Sequence, residues 1–490
     1  MEEATFVIVG GGIAGVSCAE LLPELAPEEN VILITASPTI KAVTNLSHLT
    51  PNLKAFDVEE INTGRFSEKH SSVKVLKDTV LEIEPERKEL KTKGGKIVKY
   101  QKLCLCNGAR PKLISPENPN VLGIRDTESV KQFQEKLKNA RRVAVIGNGG
   151  IATELVYELE AVDVLWAIKD DSITATFVDP GAGQFFLNVL MSGRKDSFSK
   201  DPNPVIKRLK YTESADDGDT SEIAGGALGP DWHSKIKIDG ALASNKFVKV
   251  ETEVEIVKVM NSEEFKPLKR PLDQLKDKDE GNDWPVFVEL TNGKIYGCDF
   301  IVSATGVMSN GDHFGKDLFE LSPDDGGIIV NDNLESSVKD IFAAGDVCHL
   351  KFKDHPKHFL QMKLWTQARL LGMYAAQCLD SSLKKESRTL DFSFEMFSHV
   401  TKFFGFKVIL LGLFNAQGFE KSEYEALVRV IPGVEYIKAV MVNGRMQGAI
   451  LIGETDLEET FENLILNQMD LSALGDGLLD PNVDIEDYFD

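Results

Sequence analysis

The stretch Thr5-Phe6-Val7-Ile8-Val9-Gly10-Gly11-Gly12-Ile13-Ala14-Gly15 decides the fold. A short β-branched run passes without a linker into G-x-G-x-x-G, and a helical sequence follows as far as Leu22. Strand, glycine turn and helix in that order form a dinucleotide-binding fingerprint. Gly10 permits the tight turn, Gly12 lets the backbone approach a pyrophosphate, and Gly15 allows close packing of helix on strand. Ile13 and Ala14 open the helix whose N-terminus faces the anion. A glycine-rich turn alone would say little, so the flanking strand and helix carry the assignment. The next apolar run, Val31-Ile32-Leu33-Ile34, ends at Thr35, where this fingerprint commonly has an acid for the ribose hydroxyls. Thr35 and Ser37 offer hydroxyls instead, and both are candidate contacts.

The pattern recurs. Arg142-Val143-Ala144-Val145-Ile146 runs into Gly147-Asn148-Gly149-Gly150-Ile151-Ala152 and a helix carrying Glu154 and Tyr157. Two such units in one chain imply two dinucleotide sites, the second contacted by Gly147, Asn148, Gly149, Gly150 and Ile151. The strand Val164–Ile168 then ends at Lys169, where a base could meet a 2′-phosphate; Asp170 and Asp171 follow, so NADH and NADPH both stay open.

Composition sets outer limits. The 490 residues carry 55 Lys+Arg against 77 Asp+Glu, a net charge of −22, with 42% hydrophobic and 27% charged residues. That is ordinary globular composition spread over two to four domains. The negative field opposes direct nucleic-acid binding. No apolar run approaches the ~18 residues of a membrane helix, and Met1-Glu2-Glu3 leads straight into a strand rather than a secretory signal. Six scattered cysteines suit free thiols in a reducing compartment.

Three further segments complete a series. Tyr100-Gln101-Lys102-Leu103-Cys104-Leu105-Cys106-Asn107-Gly108-Ala109-Arg110-Pro111 is similar to a "YDxLxxATGxxP" segment, with Cys106-Asn107-Gly108 in place of Ala-Thr-Gly. Cys298 to Val307 repeats that segment with Ala304-Thr305-Gly306 intact, and Ile341-Phe342-Ala343-Ala344-Gly345-Asp346-Val347 is the third. With both fingerprints, they follow the order of the FAD-dependent pyridine nucleotide-disulfide oxidoreductase superfamily, which residues 4 to 380 resemble.

The resemblance implies an α/β fold with two Rossmann-like dinucleotide-binding domains, for FAD and NAD(P)H, the second inserted in the first. Residues 1–120 and 300–385 would form the FAD domain and 121–299 the NAD(P) domain, with a surface insertion at about 177–240. Residues 386–490 would form a carboxyl-terminal α+β domain with an acidic tail. FAD contacts would fall on Val80, Asn107, Gly108, Asp346, Trp365 and Thr366, and NAD(P) contacts on Thr305 and Gly306. Trp365 reads equally well as a core anchor. Lys41 falls where family members hold a lysine near flavin N5, and Glu154 where they hold its acidic partner; both are candidate catalytic residues. Without the resemblance they read as surface charges.

The chain also departs from the family. Disulfide reductases of this kind keep a redox-active cysteine pair or single cysteine after the second strand, yet no cysteine lies between Cys18 and Cys104. Cys104 and Cys106 read as core packing. The chemistry expected is hydride transfer from NAD(P)H to FAD, followed by an external acceptor. Alternatives are a redox-dependent binding protein and a cofactor-free scaffold. Cys348, His349, His355 and His358 match no zinc spacing, and no metal site is expected. The charged stretch Asn261 to Asp283 reads as a second surface elaboration. Beyond residue 385, apolar strands around Asn443-Gly444 predict a hairpin-based sheet, and Asp456 to Asn467 a helix. The whole-length pattern resembles one eukaryotic branch of the superfamily, which implies a nuclear and cytoplasmic protein that shields the metal-dependent tRNA ligase complex from oxidation.

Overall fold

The computed structural model describes residues 2–125, 127–192, 240–242, 246–276 and 283–479. Glu2–Val9 is the central strand of the first sheet, parallel to Val31–Thr35 on one side and to Ile97–Leu105 on the other. Val73–Lys77 extends one edge, and the antiparallel Glu89–Thr92 and Val80–Glu84 extend the other. Ile341–Ala343 returns from far along the chain to pair in parallel with Leu103–Leu105. The helix Ile13–Leu25 packs on Trp365–Lys384 over this sheet, where an added Cβ on Gly372 would lie 2.2 Å from the Ala14 carbonyl oxygen. Every residue of Val31–Thr35 is buried, so both faces of this strand are covered, which is why Val31–Ile34 is continuously apolar rather than alternating.

The second sheet is all parallel: Val121–Leu122, Phe300–Ser303, Arg142–Ile146, Asp163–Ala167 and Val248–Glu251 in spatial order. Phe300–Ser303 pairs inside this sheet, so the boundary at 300 falls short; the second unit needs this strand to bridge Val121–Leu122 and Arg142–Ile146. Where the chain leaves and re-enters the first unit, Ala109–Pro111 pairs antiparallel with Val307–Ser309. Asn107 Nδ2 donates to the Asn310 carbonyl at 3.0 Å, and Asn310 Nδ2 donates back to Asn107 at 2.9 Å.

The carboxyl-terminal sheet runs Ser398–Phe403, Phe406–Gly412, Arg445–Ile452, Glu435–Val442, Glu425–Ile431, all antiparallel. Asn443 and Gly444 turn its hairpin with φ of 50° and 71°, the left-handed pair such a tight turn requires. The alternation along Val408–Leu411 is strict: Ile409 and Leu411 face the helix Glu458–Asn467, while Val408 and Leu410 face the second unit.

The expected insertion at 177–240 is corrected over its first part. Phe177, Val178, Phe185 and Phe186 are buried, and the helix Pro180–Ser192 wedges between the second unit and the carboxyl-terminal sheet. Phe186 stacks on Phe404 at 4.9 Å, with 20° between the rings. The glycine-rich start Pro180-Gly181-Ala182-Gly183 hides this helix in the sequence. Residues 193–239 and the acidic tail from 480 lie outside the described residues. The stretch after Asn261 is not purely a surface elaboration either, since Phe265 stacks on Phe287 at 4.1 Å inside a small core with Trp284. Among the described residues, no helix is long and apolar enough to cross a membrane.

Candidate functional site

One cavity of about 1110 Å³ is lined by both glycine loops. Gly12, Ile13 and Ala14 reach it from the first, and Gly147 to Ile151 from the second. Gly108, Thr305, Gly306, Asp346, Trp365 and Lys169 also face it.

The two loops are built alike. Gly10 and Gly147 both have φ of +124°, and an added Cβ would lie 2.2 Å from the Cys106 carbonyl oxygen and 2.1 Å from that of Ala304, respectively. Each turn thus presses its backbone against the next motif of its own half. The contact uses the carbonyl of residue 106, which explains why cysteine can replace the usual alanine there. Helices Ile13–Leu25 and Gly150–Glu158 start at Gly12 and Gly149 with no side-chain cap and no acid in the first turn. Their first N–H groups therefore remain for an anion.

Gly12 and Gly149 supply the test of fit. An added Cβ at either meets no protein atom within 4 Å, so packing inside the protein does not require glycine there. A pyrophosphate lying against the backbone does, and the residues present fit a dinucleotide at each loop. Gly149→Val is therefore expected to raise KM for NAD(P)H by about tenfold or more while flavin content and Tm stay near wild type. A normal KM, measured by steady-state kinetics, would refute the anion role of the second loop.

Around Asp346 the chain gathers charge. Arg125 donates to the Asp346 carboxylate, and the Asp346 carbonyl accepts from Ser309 Oγ at 2.7 Å and Lys363 Nζ at 3.1 Å. Lys363 also pairs with Asp325 at 2.8 Å. Burial would raise the Asp325 pKa, but Lys363, the Gly327 N–H and nearby His349 outweigh it and hold the carboxyl below its usual range.

Lys41 is buried on the hairpin strand Thr39–His48, opposite Glu60 in the register, and forms an ion pair with it. Its backbone N–H donates to the Gly11 carbonyl at 2.9 Å, tying the hairpin to the first fingerprint. Glu154 is buried in Gly150–Glu158 and lines the cavity. Lys41 itself is not among the residues that line the cavity, and other candidates stand apart from it as well. Thr35 is buried and accepts from the Ser37 N–H at 3.2 Å. Val80 belongs to the first core, and Asn107 sits in the Asn310 contact. Thr366 borders a second, smaller cavity and meets His399 Nδ1 at 2.9 Å. Trp365 does both things the sequence left open, lining the cavity and packing edge-on against the His399 ring at 5.0 Å.

All six cysteines are free and buried. Cys106 alone among them lines the cavity, with the Cys104 sulfur 3.6 Å away. The Cys104 contact and burial both push the Cys106 pKa well above the ordinary thiol range. Burial drives Cys298 and Cys378 up to about 12. Cys348 donates to the Gly345 carbonyl at 3.2 Å, and His358 meets Gln447 at 3.1 Å. Among the described residues no group of His, Cys, Asp or Glu is arranged to hold a metal.

Sequence reasoning passed over three residues at this wall. Arg125 lies in Gly123-Ile124-Arg125-Asp126 and Lys363 stands two residues ahead of Trp365, so for Lys363 proximity to a candidate residue was a usable signal. His399, supplied by the carboxyl-terminal sheet, carried none.

The sequence model of the pyridine nucleotide-disulphide oxidoreductase family matches residues 4–190 and 245–371. The chain is similar to pyridine nucleotide-disulfide oxidoreductase domain-containing protein 1 of Mus musculus, 49% identical over 498 residues, covering 99% of this chain and 98% of that protein. The Danio rerio protein of that name is 50% identical over 494 residues, with 100% and 98% covered. Among solved structures, the covalent putidaredoxin reductase–putidaredoxin complex superposes with a TM-score of 0.66 at 15% identity, covering 100% of this chain and 99% of that one, a likeness of fold. FAD and NAD(P)H are the cofactors that follow, and the chain belongs to the pyridine nucleotide-disulphide oxidoreductase family.

Proposed function

We propose that this protein oxidises NAD(P)H through FAD and passes the electrons to an external acceptor without a redox-active dithiol. The observation that carries the reading is the single cavity shared by two anion-binding glycine loops, with Cys106 its only thiol among the described residues. FAD would supply the chemistry, accepting hydride and releasing electrons. The protein's part is positional. The two uncapped helix N-termini hold the phosphates, and Asp346 with Arg125 and Lys363 marks the polar side of the cavity. Trp365 and Phe177 close the apolar side. Cys106, with its raised pKa and little exposure, is a poor nucleophile.

The partner implied by resemblance, the metal-dependent tRNA ligase complex, belongs to the same proposal, with action in the nucleus and cytoplasm. The net charge of −22 favours contact with protein over RNA. Stopped-flow reduction followed by exposure to oxygen is the test. The protein should be yellow and bleach with NAD(P)H, and thiol alkylation under native conditions should leave the bleaching rate unchanged. Loss of electron transfer on alkylation would restore a thiol route and overturn the reading. Rapid reoxidation supports turnover, whereas very slow reoxidation shifts support to a redox-dependent binding protein. In a ligase assay under peroxide, protection only when NAD(P)H is present supports the partner; equal inactivation with and without it removes that part.

A further inference from the structure

His399 sits on the strand Ser398–Phe403 of the carboxyl-terminal sheet, only 1% exposed, yet it lines the cavity shared by the two fingerprints. Its Nδ1 is 2.9 Å from Thr366 Oγ1. Its Nε2 is buried and has no hydrogen-bond partner among the described residues. A buried polar nitrogen left unpaired is costly, and such a group on a residue of a cavity wall points to a ligand that pairs it. Rings enclose the imidazole on three sides: Trp365 at 5.0 Å, with Phe177 and Phe397 each at 6.4 Å. Burial alone pushes its pKa down to about 3, so the ring is neutral at working pH and has one hydrogen to place.

Thr366 decides where that hydrogen goes. If the hydroxyl donates to Nδ1, the proton resides on Nε2 and a single group in the pair lacks a partner. If Nδ1 donates instead, both the hydroxyl hydrogen and the Nε2 lone pair are left over. The first arrangement leaves an unpaired Nε2–H on a residue that lines the cavity.

We propose that His399 is a flavin-contacting residue, a neutral hydrogen-bond donor that the carboxyl-terminal domain extends to the FAD ring system, where it favours the more electron-rich reduced state. The inference rests on the FAD reading of the cavity. Trp365, Ala368 and Ala344 of the FAD-binding unit line the same cavity, and the flavin ring is the acceptor-rich group that this cofactor brings. The role also gives the third domain a direct part in the redox chemistry.

The test is redox equilibration of the FAD-loaded protein against a reference dye. At a fixed dye potential, His399→Phe is expected to lower the ratio of reduced to oxidised flavin about tenfold, in line with the loss of one buried hydrogen bond. His399→Gln, which keeps an N–H donor, should recover most of that shift. Thr366→Val, which removes the tautomer bias, should fall between. An unchanged ratio in yellow His399→Phe protein overturns the proposal, as does a normal ratio accompanied by a raised KM for NAD(P)H, which would assign the donor to the nicotinamide. Should His399→Phe fail to fold, Thr366→Val with wild-type flavin content decides: a lowered ratio supports the proposal and an unchanged ratio overturns it. A colourless wild-type protein would instead refute the FAD reading itself.

Discussion

Gly10→Ala is expected to yield protein that is insoluble or emerges colourless, and Gly147→Ala to yield yellow protein that NAD(P)H no longer bleaches. Both residues hold φ of +124°, a conformation in which a side chain is strained by about 1–3 kcal/mol. The larger effect is steric. A Cβ at 2.1–2.2 Å from a carbonyl oxygen forces strand and turn apart, and the total should exceed about 4 kcal/mol. Domain stability is only about 5–15 kcal/mol. The outcomes differ because the two glycines serve separate sheets: Gly10 presses on the Cys106 segment of the first and Gly147 on the Ala304 segment of the second. Absorbance of the purified proteins and its response to NAD(P)H read out both. Two yellow variants that bleach at wild-type rates would overturn the account.

Replacing Lys41 should slow reduction of the flavin about 10²-fold, the scale on which one well-placed charge acts in a water-poor site. The side chain is buried and paired with Glu60, so Lys41→Ala also removes one partner of a largely buried carboxylate, which is destabilising in its own right. The double variant Lys41→Ala/Glu60→Gln separates the two effects: stability should return while reduction stays slow. Glu154→Ala should slow the same step about tenfold. Unchanged NAD(P)H kinetics in both Lys41→Ala and Glu154→Ala would sink the catalytic assignment, whatever their Tm values.

The two fingerprints were legible in the sequence because they are local. Each needs strand, glycine turn and helix within a few residues, and nothing distant changes that reading. The Asn443-Gly444 hairpin was legible for the same reason. The helix Pro180–Ser192 was missed because its apolar residues matter only once Phe404 and Tyr436 arrive from far along the chain to cover them. The ion pair of Lys41 with Glu60 depends on the register of Thr39–His48 against Lys54–Asn62, which carries a bulge between Thr44 and Ser47 that alternation alone does not locate. His399 was invisible because its role comes from Thr366 and from the cavity, neither a sequence neighbour.

The return of Ile341–Ala343 to the first sheet, and of Trp365–Lys384 to cover Ile13–Leu25, has a consequence during synthesis. The first Rossmann helix leaves the ribosome long before the helix that packs on it has been made. At roughly 5–20 residues per second that wait lasts on the order of 20–70 s. The inserted unit, whose strands end at Phe300–Ser303, can complete its sheet sooner. Birth order and folding order are thus reversed: the domain that begins the chain is among the last to close, and its apolar helix face waits in a form that chaperones could hold.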